Sequence, residues 1–139
     1  THPNLVELEA NAEESVTVRD CCRAAMRLRP DRIVLGEVRG AEAYDLLAAM
    51  NTGHPVLATI HANAAADALA RLETLVLQAS TQMPAAVIRR QIAATTNIVF
   101  HFSKFAGVRE LREIIEVTGT AGDSFVFTTL FKKEGMQHE

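Results

Sequence analysis

A carboxylate follows a short apolar run in the first third of the chain. Residues 33–35 are Ile-Val-Leu, and Gly36 and Glu37 come directly after them. An apolar run of this length with polar flanks is typical of a buried parallel strand. Because ligands of open α/β sheets bind at the carboxyl ends of the strands, Glu37 is placed to hold a magnesium-bound water or to orient an attacking water. The alternative is an exposed glutamate that happens to end a strand.

Two histidines flank a second apolar run, residues 56–60. His54 precedes this run and His61 follows it. If the two runs are neighbouring strands, His61 lies level with Glu37. An imidazole beside a phosphate donates a hydrogen bond and can carry charge near neutral pH. Two other interpretations stay open: structural histidines, and a small metal site formed by both histidines with Glu37.

Arginines recur around the first apolar run. Arg19, Arg23 and Arg27 are spaced four residues apart, so they share one face of a helix, and Arg29, Arg32 and Arg39 follow nearby. They form either a solvated basic face or a set of guanidinium groups directed at phosphates. Glu9, at the end of an apolar–acidic alternation, is either a base that orients water or one of several acids in an acidic loop.

Helix-capping and helix-breaking residues predict the helices that position these groups. The alternation at residues 5–9 predicts a short strand. Four helices are predicted. The first runs from Thr17, with a capping box to Asp20, to about Leu28, and the second covers residues 41–50 and is ended by Gly53. The third is capped by Asn63 and has Leu69, Leu72, Val76 and Leu77 on one face, and the fourth runs from Pro84 to about Thr95.

The last third of the chain predicts strands at residues 98–103, 109–117 and 125–131, joined by turns at Gly107 and between Gly119 and Gly122. We therefore expect one α/β domain over residues 1–139. Its first part, to about residue 95, has a mostly parallel sheet, and residues 96–139 form an antiparallel β meander.

Composition excludes several classes of protein. Apolar residues make up 48% of the 139 residues and charged residues 22%, a globular balance. The net charge of −3 does not favour wholesale binding to nucleic acid or an anionic membrane. The adjacent Cys21 and Cys22 predict helix packing residues in a reducing compartment. Because Thr1 is not an initiator methionine, we expect the chain to be part of a longer protein.

Two long motifs resemble one family, the traffic ATPases of type II and type IV secretion, type IV pili and tight-adherence pili. Residues 28–40, LRPDRIVLGEVRG, resemble the Walker B segment of that family. Residues 49–54, AMNTGH, and 59–63, TIHAN, resemble its histidine box, and residues 71–73, RLE, continue the match. The similarity is greatest to the tight-adherence pilus and conjugation branch.

The resemblance implies a RecA-like P-loop NTPase core in a hexameric ring at the cytoplasmic face of the bacterial inner membrane. It implies ATP and Mg²⁺ as cofactors and inner-membrane secretion or pilus platform proteins as partners, with membrane association through them and no nucleic acid indicated. Carried over by position, Glu37 is the Walker B acid near magnesium, His61 and His54 belong to the histidine box, Glu9 to the acidic box, and Arg27, Arg29 and Arg39 are candidate nucleotide contacts.

The 139 residues lack the phosphate-binding loop that an ATP site of this kind requires. A phosphate-binding loop has the pattern G-x-x-x-x-G-K-[ST], and none of the three lysines, Lys104, Lys132 and Lys133, follows a glycine. We therefore expect a partial RecA-like domain without its first strand and Walker A loop, inactive by itself but part of an ATP-hydrolysing protein for secretion, conjugation or pilus assembly. The alternative is a nucleotide-free assembly module of a secretion system.

Overall fold

The structure, a computed structural model, describes residues 4–79, 82–105 and 107–133. Helices and strands follow in the order α1 (Val18–Arg27), β1 (Ile33–Leu35), α2 (Glu42–Asn51), β2 (Val56–Ala58), α3 (Ala65–Ala79), α4 (Ala85–Thr95), β3 (Ile98–Phe105), β4 (Val108–Ala121) and β5 (Ser124–Lys132). Strands β1 and β2 form a parallel pair. Strands β3, β4 and β5 form an antiparallel meander, as predicted, in a sheet of its own.

Helix α1 begins at the predicted capping box. The backbone N–H of Asp20 donates to Thr17 Oγ1 at 3.2 Å, and the N–H of Thr17 donates to Asp20 Oδ2 at 2.9 Å. The Thr17 hydroxyl also donates to Asp20 Oδ2, at 2.5 Å. This bond, together with that from the Thr17 N–H, holds the pKa of Asp20 below its ordinary value. Cys22 is buried and Cys21 half-buried, and both are free thiols, which confirms them as helix packing residues.

The arginine face of α1 packs on α2 through a buried carboxylate. Arg19 Nε lies 2.5 Å from Asp45 Oδ2, and Arg23 Nε lies 2.8 Å from Asp45 Oδ1. Asp45 is only 5% exposed, so the two guanidinium groups compensate a carboxylate that has lost most of its water. Arg19 and Arg23 therefore pair with a buried acid of α2, although the side chain of Arg23 stays half exposed.

The core lies between the helices and the inner face of the meander. Its fully buried side chains come from α2, α3, α4 and β4: Leu47, Leu69, Val76, Ile88, Ile92 and Ile115. On α3, the predicted apolar face is confirmed, with Leu72 and Leu77 partly buried beside Leu69 and Val76.

Polar side chains attach the meander to the helices. Arg89 of α4 donates to both oxygens of Glu73 on α3, at 3.0 and 2.7 Å, and to Asp123 Oδ1 in the β4–β5 turn at 2.8 Å. Glu113 Oε2 of β4 accepts the N–H of Ala65, the first residue of α3, at 3.3 Å. The predicted cap Asn63 lies two residues before the helix starts, and Glu113 takes this role because the meander packs against that end of α3.

Two predictions for the strands were wrong. Residues 5–9 are exposed and form no strand, because no described strand pairs with them. Strand β1 is only half buried, with Ile33 at 8% exposure and Val34 at 71%, and Leu57 of β2 is 56% exposed. One face of the parallel pair is therefore uncovered by the described residues.

Within the three described ranges, no helix combines the length and the apolar character needed to cross a membrane.

Helix α2 begins at a carboxylate that the sequence analysis did not single out. Glu42 Oε1 accepts the backbone N–H of Arg39 at 2.6 Å and of Gly40 at 2.8 Å. Burial is the largest influence and acts to raise the pKa of Glu42. The backbone hydrogen bonds from Arg39, Glu42 and Gly40, with the charge of Arg19, outweigh it, so the pKa of Glu42 lies below its ordinary value.

Truncating the core tests the packing. Ile88 is 0% exposed, so Ile88→Ala should lower the free energy of unfolding by about 2 to 5 kcal/mol, measured in urea by circular dichroism. Arg90→Ala, on the exposed side of the same helix, is the control and should change it by less than about 0.5 kcal/mol. Equal effects of the two variants would contradict this assignment of the core.

The lowered pKa of Glu42 predicts a pH dependence of stability. Its contribution is present above the unfolded-state pKa and is lost as pH falls through the lower folded-state pKa. Glu42→Gln should therefore reduce the loss of unfolding free energy between about pH 5 and about pH 3. Glu116→Gln, at an exposed position of β4, controls for the removal of one acid. Parallel pH profiles of wild type and Glu42→Gln would refute this role.

Candidate functional site

The carboxyl ends of β1 and β2 are held together beyond the strands themselves. The parallel register pairs Leu35 with Ala58. Past this pair, the N–H of Val38 donates to the carbonyl of Thr59 at 2.8 Å, and the Thr59 hydroxyl donates to the carbonyl of Gly36. The segment that carries Glu37 is thereby fixed against the segment that leads to His61.

This pairing brings Glu37 and His61 together, as the neighbouring-strand argument predicts. His61 Nε2 lies 3.0 Å from Glu37 Oε1, and Arg39 Nη2 contacts Glu37 Oε2. The side chain of Glu37 is 21% exposed, whereas His61 is 84% and Arg39 76% exposed. The result is an accessible carboxylate with one basic group on each oxygen.

The charges around Glu37 favour its ionised form. The hydrogen bond from Arg39 is the main cause that holds the pKa of Glu37 below its ordinary value. Partial burial opposes this shift, and the charges of Arg39, His61 and Arg71 add to it. Arg71 of α3 is a neighbour that the sequence analysis did not place in the site. Its position ten residues after His61, on the helix that follows the histidine box, is the signal that could have indicated it.

A magnesium ion held mainly by phosphate oxygens fits this arrangement better than one held by a protein cage. Mg²⁺ commonly takes one or two carboxylates together with phosphates and waters. Within the described ranges, no three His, Cys, Asp or Glu side chains are grouped as metal ligands. Glu37 supplies one carboxylate, and the surrounding basic groups suit an anion. When bound, magnesium would supply charge compensation at the phosphates.

His54 lies at the opposite end of β2 from His61. Its Nδ1 is 3.1 Å from Thr52 Oγ1 and 3.2 Å from the carbonyl oxygen of Ala49, in the turn that ends α2. Gly53 makes this turn with a φ of 88°, a left-handed conformation that favours glycine. The hypothesis of a metal site formed by His54, His61 and Glu37 is therefore wrong, because strand β2 separates the two histidines.

The other predicted site residues do not contact Glu37. Glu9 is exposed in the irregular segment that precedes α1. Arg27 lies in the last turn of α1, and Arg29 follows the helix with a left-handed φ of 52° directly before Pro30. Both arginines are exposed, and within the described part of the chain neither forms an ion pair.

Comparison with known proteins places this geometry in a family. The family model for type II/IV secretion system proteins matches residues 1–118. A Mycobacterium tuberculosis H37Rv protein named for conjugal transfer is 43% identical over 145 residues, covering 99% of this chain and 41% of its own length. The conjugal transfer protein TrbB of Rhizobium radiobacter is 39% identical, over 84% of this chain and 34% of its own. The chain thus spans less than half the length of these relatives.

A solved structure supports the same conclusion. The VirB11 ATPase of the Brucella suis type IV secretion system, in complex with sulphate, aligns with a TM-score of 0.69 and 30% identity, over 74% of this chain and 32% of that protein. This similarity confirms the predicted fold class, a RecA-like α/β core with an antiparallel extension. With a family match over residues 1–118 and relatives that share its fold, the chain belongs to the type II/IV secretion system protein family.

Proposed function

We propose that the chain is the Walker B and histidine-box part of an ATP-hydrolysing motor that drives type II or type IV secretion, conjugation or pilus assembly. The observation that carries this proposal is the contact of Glu37 with His61 at the carboxyl ends of two paired parallel strands. The VirB11 similarity supports an ATPase, and the relatives named for conjugal transfer favour the conjugation and type IV branch.

In this proposal Glu37 is the Walker B acid, and its carboxylate lies near the bound magnesium ion. Its carboxylate accepts hydrogen bonds from metal-bound water or orients the attacking water, roles that require an ionised group at a strand end. His61, on the other strand, donates toward the γ-phosphate or holds Glu37 in place. Its high exposure leaves the imidazole free to meet a ligand. Arg71 adds positive charge near the same carboxylate.

The remaining predicted residues keep their proposed roles. Arg27, Arg29, Arg39 and His54 are candidates for nucleotide binding, and Glu9 is the candidate for the acidic box. The exposure of Glu9 and of the three arginines is consistent with contacts to groups outside this chain. His54 has the weakest support, because its ring is engaged in the turn after α2.

The cradle for the phosphates lies outside these 139 residues in our proposal, because they contain no Walker A pattern. The chain alone is then a partial domain that neither binds ATP tightly nor hydrolyses it. In the longer protein it works in a homo-hexamer at the cytoplasmic face of the inner membrane and contacts membrane-embedded platform proteins. The contrasting function, a nucleotide-free assembly module, predicts no ATP turnover by the longer protein.

Removing the charge of Glu37 tests its role. In the longer protein, Glu37→Gln should lower ATP turnover by at least about a hundredfold while ATP binding is kept, because the shape is retained and a group needed for the transferred phosphate is lost. Glu116→Gln, the same substitution at an exposed position of β4, is the matched control and should leave turnover unchanged. Wild-type phosphate release by Glu37→Gln would show that the assignment is wrong.

The two histidines provide a matched pair of variants. His61→Ala should reduce turnover about tenfold or more and change ATP affinity less, because a sensor of the γ-phosphate acts most strongly in the transition state. His54→Ala should leave turnover per folded molecule unchanged and lower the thermal midpoint, because its contacts end a helix. If His61→Ala unfolds the protein with turnover per folded molecule intact, then His61 is structural.

A further inference from the structure

Arg39 contacts the oxygen of Glu37 that His61 leaves free. Arg39 Nη2 contacts Glu37 Oε2, and His61 Nε2 lies 3.0 Å from Glu37 Oε1. Both carboxylate oxygens therefore already have a basic partner. Within the described residues, Glu37 is also the only side chain bonded to the guanidinium of Arg39. Arg39 thus has one side-chain partner, whereas Glu37 also contacts His61.

The backbone of Arg39 is held by hydrogen bonds, whereas its side chain is exposed. Its N–H donates to Glu42 Oε1 at 2.6 Å, and the next N–H, of Gly40, donates to the same oxygen at 2.8 Å. The neighbouring Val38 is 2% exposed and bonded to Thr59. The guanidinium, by contrast, belongs to a side chain that is 76% exposed. Arg39 can therefore turn away from Glu37 by side-chain rotation alone, without moving the strand end.

A guanidinium and hydrated magnesium compete for the same carboxylate. Each is positively charged and each donates hydrogen bonds to carboxylate oxygens. A carboxylate oxygen paired with Arg39 is not available to a metal-bound water. When Arg39 leaves, His61 and Arg71 still compensate part of the charge of Glu37. Ion pairs between exposed groups are weak, so such a contact can open at low cost.

We infer that Arg39 is a positioning residue that competes with magnesium-bound water for Glu37 and has to release this carboxylate when magnesium and nucleotide bind. This inference rests on the proposed function and adds a regulation of the same site. Arg39 then sets how much magnesium the site requires, in addition to any contact that it makes with phosphate.

The test measures magnesium-dependent binding of a non-hydrolysable ATP analogue to the longer protein that carries this chain. Free Mg²⁺ is titrated at fixed analogue concentration, and binding is followed by fluorescence anisotropy. Arg39→Gln should lower the half-saturating Mg²⁺ concentration about two- to fivefold, the range expected for loss of an exposed ion pair that opposes binding. Arg39→Lys keeps the positive charge and should restore a value close to wild type.

Two controls make the result specific to the Glu37 contact. Arg90→Gln removes the same charge from an exposed position of α4 and should leave the magnesium requirement unchanged. In a Glu37→Gln background, Arg39→Gln should have no further effect, because the competing carboxylate is absent. An equal shift in that background would overturn the inference.

The outcomes separate the inference from the function on which it rests. If wild type binds the analogue with magnesium but Arg39→Gln leaves the half-saturating Mg²⁺ unchanged or raises it, Arg39 does not compete for Glu37 and the inference is wrong. The proposed function would survive this result. If wild type shows no magnesium-dependent binding, the proposed function fails and the inference fails with it.

Discussion

The site depends on the parallel pairing of β1 and β2. Each strand has only three residues, so the pair contributes little stability by itself. Its effect is positional, because parallel strands bring their carboxyl ends to the same edge. The additional bonds from Val38 to Thr59 and from Thr59 to Gly36 extend this alignment past the last strand residues. Glu37 and His61 are 24 positions apart in sequence. They meet because their segments leave the strand pair at the same edge.

The features predicted best from the sequence were those determined by residues close together in the chain, such as the starts of helices. Thr17 and Asp20 fix the start of α1 through hydrogen bonds within four residues, and Pro84 fixes the start of α4 through its own backbone. The contact of Glu37 with His61 was also predictable, since it requires only that two apolar runs be parallel neighbours. The predicted strand at residues 5–9 failed for the opposite reason. Alternation of apolar and acidic residues specifies which face is buried, but a strand also needs a partner.

Features that depend on tertiary contacts were not predictable from the sequence. The spacing of Arg19 and Arg23 shows that they share a helix face, but only the packing of α1 on α2 places Asp45 beneath them. The partner of Arg39 was not predictable either, because its sequence position is compatible both with a phosphate ligand and with an ion pair to a nearby acid. In the structure Glu42 holds the backbone N–H groups of Arg39 and Gly40, and the guanidinium of Arg39 contacts Glu37.

The loop that carries His61 is held at both ends although its imidazole is exposed. On one side Thr59 is bonded to Val38, and on the other the N–H of Ala65 is bonded to Glu113 of the meander. Five residues lie between these two anchors, so the backbone of His61 has little room to move while its side chain stays accessible. Glu113 belongs to β4, and Arg89 joins α3 to the β4–β5 turn. The antiparallel extension is therefore hydrogen-bonded to the start of the helix that follows the His61 loop, although its described residues supply none of the groups that contact Glu37.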